Sequence, residues 1–174
     1  SFGLELQDGA GSGTDAELLG MPTEEDWVLY GPWMDRSLVR NVFGYNIWSD
    51  LGWYAPRSRY CELYVHEDPA VSLVESYEGL YVLTEKIKRD TNRVNIASLS
   101  LEDTTEPAIT GGYLLEIMKP DRLDADEVGL PLAGDFVASL VYPSPDKITE
   151  VQQAWIQDYL AQFETALFGA NFTD

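Results

Sequence analysis

The sequence predicts a globular chain of short β-strands and two α-helices, with an antiparallel hairpin at its centre. Residues 79–83 form an apolar run bounded by a glycine, which is typical of a strand buried on both faces. Residues 58–65 and 78–84 are expected to pair as an antiparallel hairpin with a long tip. Residues 149–169 place an apolar side chain at every fourth position, which indicates a helix.

The composition indicates a folded chain with a strong excess of negative charge. The 174 residues are 45% hydrophobic and have a net charge of −19, so length and apolar content suffice for a core. This charge disfavours nucleic acid as a partner, and no segment is apolar enough to insert into a membrane. It is compatible with a basic protein partner, with secretion or with a saline habitat. The oligomeric state does not follow from it.

Metal chemistry is disfavoured by the ligand inventory. Cys61 and His66 are the single cysteine and histidine, so neither a thiolate cluster nor a histidine pair can form. Cys61 fits a small core residue of a strand, and His66 fits a loop. The acidic residues 121–127 lack the spacing of a calcium loop. We therefore predict a solvated acidic loop there and no metal site.

The first half of the chain predicts three strands and a helix before the central run. Residues 2–7 alternate in polarity, and residues 26–30 form a second apolar segment that ends at a Gly-Pro pair. Asp35 is the expected N-cap of a helix that ends at Gly52. Residues 57–65 form the first strand of the hairpin. The helix prediction rests on apolar residues at helical spacing, which are Leu38, Val39, Val42, Phe43 and Ile47.

The second half predicts two more strands and a long final helix. Residues 113–118 are nearly continuous apolar sequence and therefore predict an interior strand, in which the carboxylate of Glu116 must be paired or must face a site. Residues 136–142 predict a short strand. Thr149 and Gln152 have the spacing of a capping box, and Gly169 ends the helix. Its expected packing face is a stripe of Val151, Trp155, Tyr159, Phe163 and Leu167. No domain boundary is visible.

The positive charges are concentrated in two windows. If these windows fold together, they form a local anion site in an otherwise acidic chain. The alternative is that each cation neutralises a neighbouring carboxylate in a surface pair of little energetic value. The windows hold eight of the eleven cations, namely Arg36, Arg40, Arg57 and Arg59 in the first and Lys86, Lys88, Arg89 and Arg93 in the second.

With these elements assigned, the sequence resembles the CotH kinase family, which is named for a spore coat protein. Each matching segment is short, but their order and spacing agree from end to end. The segments are residues 19–22, 26–32, 35–41, 52–57, 62–65, 79–81, 84–87, 93–94, 111–116 and 152–169.

The resemblance implies an α+β fold similar to that of protein kinases, with an antiparallel sheet and packed helices. Residues 1–174 would then be a single truncated domain. Residues 1–142 would form the kinase-like N-terminal lobe, in which the Asp35 helix faces the phosphates, and residues 143–174 would carry the first helix of the C-terminal lobe. The same resemblance favours a bacterial protein that is secreted or lies in a cell surface or spore coat.

The resemblance also implies an activity for the longer protein. Members of the family are expected to transfer the γ-phosphoryl group of ATP, with Mg²⁺, to Ser or Thr hydroxyls of a protein substrate. The family places a Gly/Ser-rich loop before the first residue of this chain, and its catalytic and metal-binding aspartates after the last. We therefore expect a fragment with no catalytic residue, no activity of its own and no cofactor requirement.

Four residues are expected to line part of the nucleotide site: Arg40, Glu85, Lys86 and Glu116. Arg40 or Lys86 would neutralise phosphate charge, and Glu85 or Glu116 would orient a cation or accept hydrogen bonds from the adenine side. The alternative is a structural ion pair between the sheet and the Asp35 helix.

A second function remains open, a surface binding or adhesion module for a protein or glycan. Tryptophan and tyrosine near turns can form such a platform. The positions next to apolar runs argue against it, because core aromatics have the same pattern. A metal-dependent hydrolase is disfavoured, since no ligand spacing gathers the carboxylates. The residues of the platform would be Trp33, Trp48, Trp53 and Tyr54.

Overall fold

A computed structural model describes residues 1–65, 72 and 74–170 of the chain. His66 lies outside the described residues. The chain divides into two compact units, Ser1–Ile87 and Lys88–Asp174. This boundary differs from the division at residue 142 that the sequence suggested, because residues 88–142 fall in the second unit with the final helix. The assignment of residues 1–174 to a single truncated family domain stays a prediction.

The first unit is built on one antiparallel sheet of four strands. The strand order is β1-β2-β4-β3, and a helix, α1, lies between β2 and β3 in the chain. All four predicted strands are confirmed, and each lies within two residues of its expected bounds. The elements are β1 (Phe2–Glu5), β2 (Asp26–Tyr30), α1 (Arg40–Asp50), β3 (Ser58–Tyr64) and β4 (Tyr77–Glu85).

Strand β4 is the interior strand that its apolar run predicts. It pairs with β2 on one side and β3 on the other, and its last four residues, 82–85, are buried. On one face of the sheet, Leu83 packs with Met21 and Trp27 in the core of this unit. Cys61 packs against the same cluster, which confirms its predicted core position.

Helix α1 begins four residues later than predicted, with Val39 and not Asp35 as its N-cap. Leu38 has a φ of 60°, a left-handed conformation that interrupts a helix of L-residues. The hydroxyl of Tyr60 donates a hydrogen bond of 2.8 Å to the carbonyl of Leu38 and ties this turn to β3. No residue of α1 is buried, which differs from the packed helix that the family resemblance implies.

The second unit contains a separate antiparallel sheet of three strands and the long helix α2. The strand order is β5-β7-β6. The sequence predicted one sheet and did not predict β6, so both points are corrections. Leu130, Ala138 and Ile156 pack together in the hydrophobic core of this unit. The elements are β5 (Leu114–Met118), β6 (Gly129–Leu132), β7 (Phe136–Tyr142) and α2 (Glu150–Phe168).

The capping box of α2 is confirmed, but its packing face is not the predicted one. The Thr149 hydroxyl accepts the Gln152 amide at 3.2 Å, and the Gln152 side chain accepts the Thr149 amide at 2.9 Å. Gln152 and Ile156 are the buried residues of the helix, whereas most of the predicted stripe is exposed. Within the described residues, no helix combines the length and the apolar content of a membrane span.

Candidate functional site

The C-terminal end of β4 carries an ion pair between a buried carboxylate, Glu85, and a partly exposed arginine, Arg57. The side chain of Glu85 is 0% exposed, and its Oε1 lies 2.7 Å from Nη2 of Arg57. Arg57 also donates from its backbone amide to Oε2 and from Nε to Oε1, each at 2.9 Å. The Glu85 amide in turn donates to the Arg57 carbonyl at 3.1 Å. The pair therefore holds the end of β4 to the residue that enters β3.

This geometry supports a structural role for Glu85. A buried carboxylate is stable only when charge and hydrogen bonds compensate its lost hydration, and Arg57 supplies both from side chain and backbone. The partner lies beside β3, not on the helix that begins after Asp35 as the sequence alternative supposed. Because Glu85 is enclosed, its carboxylate is not presented to a ligand.

Lys86 follows immediately and is in a different environment. Its Nζ lies 3.5 Å from Oδ1 of Asp26 on the neighbouring strand β2, and its side chain is 54% exposed. A pair of this length between accessible groups contributes at most about 1 kcal/mol. Because more than half of the Lys86 side chain is exposed, its ammonium group is accessible to an anion in solution.

Three consecutive carboxylates precede β2 or begin it. One oxygen from each of Glu24, Glu25 and Asp26 lies within 4.8 Å of the other two, and oxygen donors suit Mg²⁺ or Ca²⁺. However, Glu24 already accepts the backbone amides of Glu25 at 3.0 Å and Asp26 at 3.4 Å. Asp26 faces the Lys86 ammonium. The group fits a turn that fixes the start of β2.

Arg40 is held at the start of α1 by Asp35. Asp35 Oδ2 accepts the Arg40 amide at 2.9 Å, and its Oδ1 lies 3.4 Å from the Arg40 Nε. The hydroxyl of Ser37 donates to Asp35 Oδ1 at 2.6 Å. The hydrogen bond from Ser37 is the main cause that lowers the pKa of Asp35 to about 2, and the Arg40 amide adds to it. Arg40 itself is 80% exposed, so its guanidinium remains accessible.

Glu116 does not lie on an interior strand. Its strand, β5, is the edge of the three-stranded sheet, and Glu116 is exposed, which corrects the prediction. It faces a concavity of about 530 Å³ in the second unit that is rich in carboxylates. Such a lining repels phosphate, so Glu116 is poorly placed to bind a nucleotide directly. The other carboxylates that line it are Asp126, Glu127 and Asp146.

The first cationic window and Lys86 of the second window lie in the first unit. The pairing of β3 with β4 places Arg57 and Arg59 beside the strand that ends just before Lys86. Lys88 and the later cations belong to the second unit. There, Arg89 donates to the Ile96 carbonyl at 3.1 Å, and Arg93 is buried. Several cations thus contact carboxylates or carbonyls, as the structural alternative proposed.

Three of the four aromatic residues considered for a binding platform are exposed. Trp33 is 83% exposed, and Trp48 and Trp53 stack with ring centroids 6.1 Å apart. The hydroxyl oxygen of Tyr54, by contrast, is buried. The argument that these aromatics belong to a core is therefore wrong for the tryptophans.

Sequence reasoning missed Arg57 as the partner of Glu85, although a signal was present. Ser58 pairs with Thr84 in the hairpin, and extending that register by one residue places Arg57 opposite Glu85. The predicted hairpin bounds contain nearly this register. No signal in the sequence indicated that Asp126 and Glu127 lie near Glu116. Their position depends on strand β6, which was not predicted.

The fold is α+β, with two antiparallel sheets and two helices. A family model described as "CotH kinase protein" matches residues 1–174, which is the whole chain. The chain therefore belongs to the CotH kinase family, and the resemblance seen in the sequence is confirmed. No curated protein and no solved structure matches it.

Proposed function

We propose that this chain is a portion of a CotH-like protein kinase that transfers the γ-phosphoryl group of ATP to Ser or Thr hydroxyls of a protein substrate. Membership of the CotH kinase family over residues 1–174 carries the proposal. The four-stranded antiparallel sheet with α1 between β2 and β3 would correspond to a kinase-like N-terminal lobe. The substrate would be a protein, and the acidic chain favours a basic one.

Lys86 is the residue proposed to contact phosphate. It follows the last residue of the central strand, and its side chain is 54% exposed. Phosphoryl transfer depends on positioning and on neutralising phosphate charge, so a charged group that contacts phosphate must be held rigidly. The pair of buried Glu85 with Arg57 supplies that rigidity one residue earlier, so Glu85 is a positioning residue in this proposal. Arg40 is the second candidate for phosphate.

The proposal places the Mg²⁺ ligands outside this chain. Among the described residues, the carboxylates of Glu24, Glu25 and Asp26 are the one group close enough to share a cation. Two of them contact backbone amides or Lys86, which leaves an incomplete set for Mg²⁺ with ATP. The catalytic aspartates would likewise come from other parts of a longer protein.

A titration with a non-hydrolysable ATP analogue and Mg²⁺ tests the role of Lys86. The expected result is that Lys86→Ala weakens binding at least about tenfold, which corresponds to about 1.4 kcal/mol, with an unchanged unfolding midpoint. Lys147→Ala removes an exposed lysine of the second unit and is the matched control. Equal affinity of the native chain and Lys86→Ala would contradict the assignment.

Activity is tested separately. The 174-residue chain is expected to show no ATP turnover, because catalytic and metal-binding aspartates are assigned elsewhere. A longer protein that contains it is expected to transfer labelled γ-phosphate to a protein substrate. Magnesium-dependent turnover by the 174 residues alone contradicts the first expectation, and a longer protein without transfer contradicts the proposed activity.

The exposed tryptophans favour a second candidate function, a non-catalytic module that binds a protein or a glycan. Stacked, accessible indoles offer the flat apolar surface that sugar rings and protein anchors contact. A glycan array and a pull-down with a basic protein test it. Trp48→Ala with Trp53→Ala is expected to abolish the signal, whereas Phe2→Ala, an exposed aromatic of β1, retains it. A signal that survives the tryptophan substitutions rejects this function.

A further inference from the structure

The segment before α1 interrupts a helix that its own sequence favours. Asp35 is a preferred N-cap residue, and the apolar spacing that predicts the helix already begins at Leu38. In the structure, however, Val39 is the N-cap, and Leu38 has a φ of 60°. A left-handed leucine is unfavourable, because its Cβ crowds the following carbonyl oxygen. This conformation therefore needs contacts that compensate for it.

The side chain of Tyr60 on β3 provides one such contact. Its hydroxyl donates a hydrogen bond of 2.8 Å to the carbonyl of Leu38, and the position of Tyr60 is fixed because its strand pairs with β4. In a continuous helix, the same carbonyl accepts the backbone amide of Val42. The Tyr60 hydroxyl therefore takes the place of a helical hydrogen bond at this acceptor.

The same turn holds Arg40 beside Asp35. Asp35 accepts the Arg40 amide at 2.9 Å, and its other carboxylate oxygen lies 3.4 Å from the Arg40 Nε. In a helix that begins directly after Asp35, the Arg40 amide would instead donate to the carbonyl of Arg36, four residues earlier. Arg36 and Arg40 would then be neighbours on one helix face. Their like charges oppose this arrangement in the absence of an anion, whereas a phosphate group between them favours it.

We propose that residues 36–39 form a switch that regulates the contact of Arg40 with phosphate. In the short form, which is the one in the structure, Tyr60 holds Leu38 and α1 begins at Arg40. In the long form, Tyr60 releases Leu38, the helix extends by about one turn, and Arg36 joins Arg40 in contacting phosphate. A ligand shifts such an equilibrium only as far as it binds one form better, and the two aligned arginines provide that difference. The inference rests on the proposed function for its ligand, but not for the role of Tyr60.

Backbone NMR of the ligand-free chain tests the role of Tyr60. Tyr60→Phe removes the hydroxyl and keeps the ring, so we expect the ratio of long to short form to rise about fivefold, the typical effect of one hydrogen bond. Carbon chemical shifts of residues 36–39 and saturation-transfer exchange, which detects a minor form, report this ratio. Leu38→Gly adopts the left-handed conformation without strain and is a poor helix former, so it should lower the ratio at least about tenfold.

The control is a second tyrosine of the same strand. Tyr64→Phe removes a hydroxyl that donates to Glu62 and should leave the ratio of the two forms unchanged. A Tyr60→Phe chain that keeps the native shifts at residues 36–39 and shows no exchange overturns the proposal. Equal populations of the long form in Tyr60→Phe and Leu38→Gly also overturn it.

Titration with a non-hydrolysable ATP analogue and Mg²⁺ tests the link to phosphate. The analogue is expected to move the signals of residues 36–39 toward helical shifts. Arg36→Gln should weaken its binding about fivefold, whereas Arg122→Gln, which replaces an exposed arginine of the second unit, should not. An analogue that binds without changing these shifts overturns the switch and leaves the proposed function intact. A chain that does not bind the analogue, but in which Tyr60→Phe lengthens α1, contradicts the proposed function and the link to phosphate and retains the role of Tyr60.

Discussion

Glu85 and Glu116 occupy similar positions in the sequence and opposite positions in the structure. Glu85 follows the apolar run 79–83 at the end of its strand, and Glu116 lies within the apolar segment 113–118. Strand β4 has a partner on both sides, so Glu85 is enclosed and bound by Arg57, whereas β5 is an edge and Glu116 is exposed. An apolar run therefore identifies a strand without showing whether its polar residues are buried. The pairing of the strand decides that.

The largest effect on stability should come from replacing Glu85, and Glu116 provides the comparison. Glu85→Gln removes the negative charge that compensates Arg57. It also replaces one carboxylate oxygen, which accepts from Arg57, by an NH2 group that can only donate. We therefore expect the free energy of unfolding to fall by about 3 kcal/mol. Glu116→Gln changes an exposed edge residue and should alter it by less than about 0.5 kcal/mol. Urea unfolding of the two variants measures both. Equal effects would remove the distinction between the strands.

A buried polar residue of the second unit extends the comparison. Gln152 is fully buried, and its side-chain amide donates to the carbonyls of Ser100 at 2.6 Å and Asp103 at 3.1 Å. Gln152→Ala leaves these carbonyls and the Thr149 amide without that partner, so we expect a loss of about 2 kcal/mol. Gln153→Ala, one residue along α2 and less buried, is the control. A small loss at Gln152 would show that water replaces its hydrogen bonds.

Features that depend on residues close together in the sequence could be predicted, whereas features that depend on distant residues could not. The capping box of Thr149 and six of the seven strands that the structure describes depend on neighbours in sequence and were predicted, whereas β6 was not. The late start of α1 depends on the left-handed Leu38, which a β3 tyrosine holds in place from 22 residues away. Leucine carries no local signal for that conformation. The predicted helix therefore included a turn that the fold excludes.

The residues of the candidate site also divide into those that local sequence predicts and those that depend on strand order. The position of Lys86 at the end of a buried strand was visible in the sequence, because the change from apolar to charged residues is local. The burial of Glu85 required its cross-strand partner, and the exposure of Glu116 required knowing that β5 is an edge. Both facts concern strand order, which composition and periodicity do not specify.

A smaller effect is expected from the pH dependence of the turn before α1. The pKa of Asp35 in the folded chain, about 2, is below its ordinary value of 3.8. The unfolded chain therefore binds the proton more readily, and the stability from Asp35 is present above about pH 4 and lost as the pH falls toward 2. Urea unfolding at about pH 5 and about pH 2.5 should show a smaller acid loss for Asp35→Asn than for the native chain. An identical loss would show that the Ser37 and Arg40 hydrogen bonds do not persist in solution.

A small effect on stability is also expected at Lys86, next to the residue with the largest. Lys86→Ala removes a partly exposed, 3.5 Å contact to Asp26 and should change the free energy of unfolding by less than about 1 kcal/mol. The same urea experiment measures it beside Glu85→Gln. A loss comparable with that of Glu85→Gln would mean that the contact between Lys86 and Asp26 is needed for folding. Lys86 would then be poorly suited to leave Asp26 and bind phosphate.

The most direct test of the central claim follows the lysine side chains by NMR while a non-hydrolysable ATP analogue and Mg²⁺ are added. The chain has four lysines, Lys86, Lys88, Lys119 and Lys147, so isotopically labelled dimethyl-lysine signals can be assigned by substitution. The expected result is a saturable shift of the Lys86 signal, with Lys119 and Lys147 unchanged. A Lys86 signal that does not move while the analogue binds, or that moves no more than those of Lys119 and Lys147, contradicts the claim that the end of β4 presents Lys86 to phosphate.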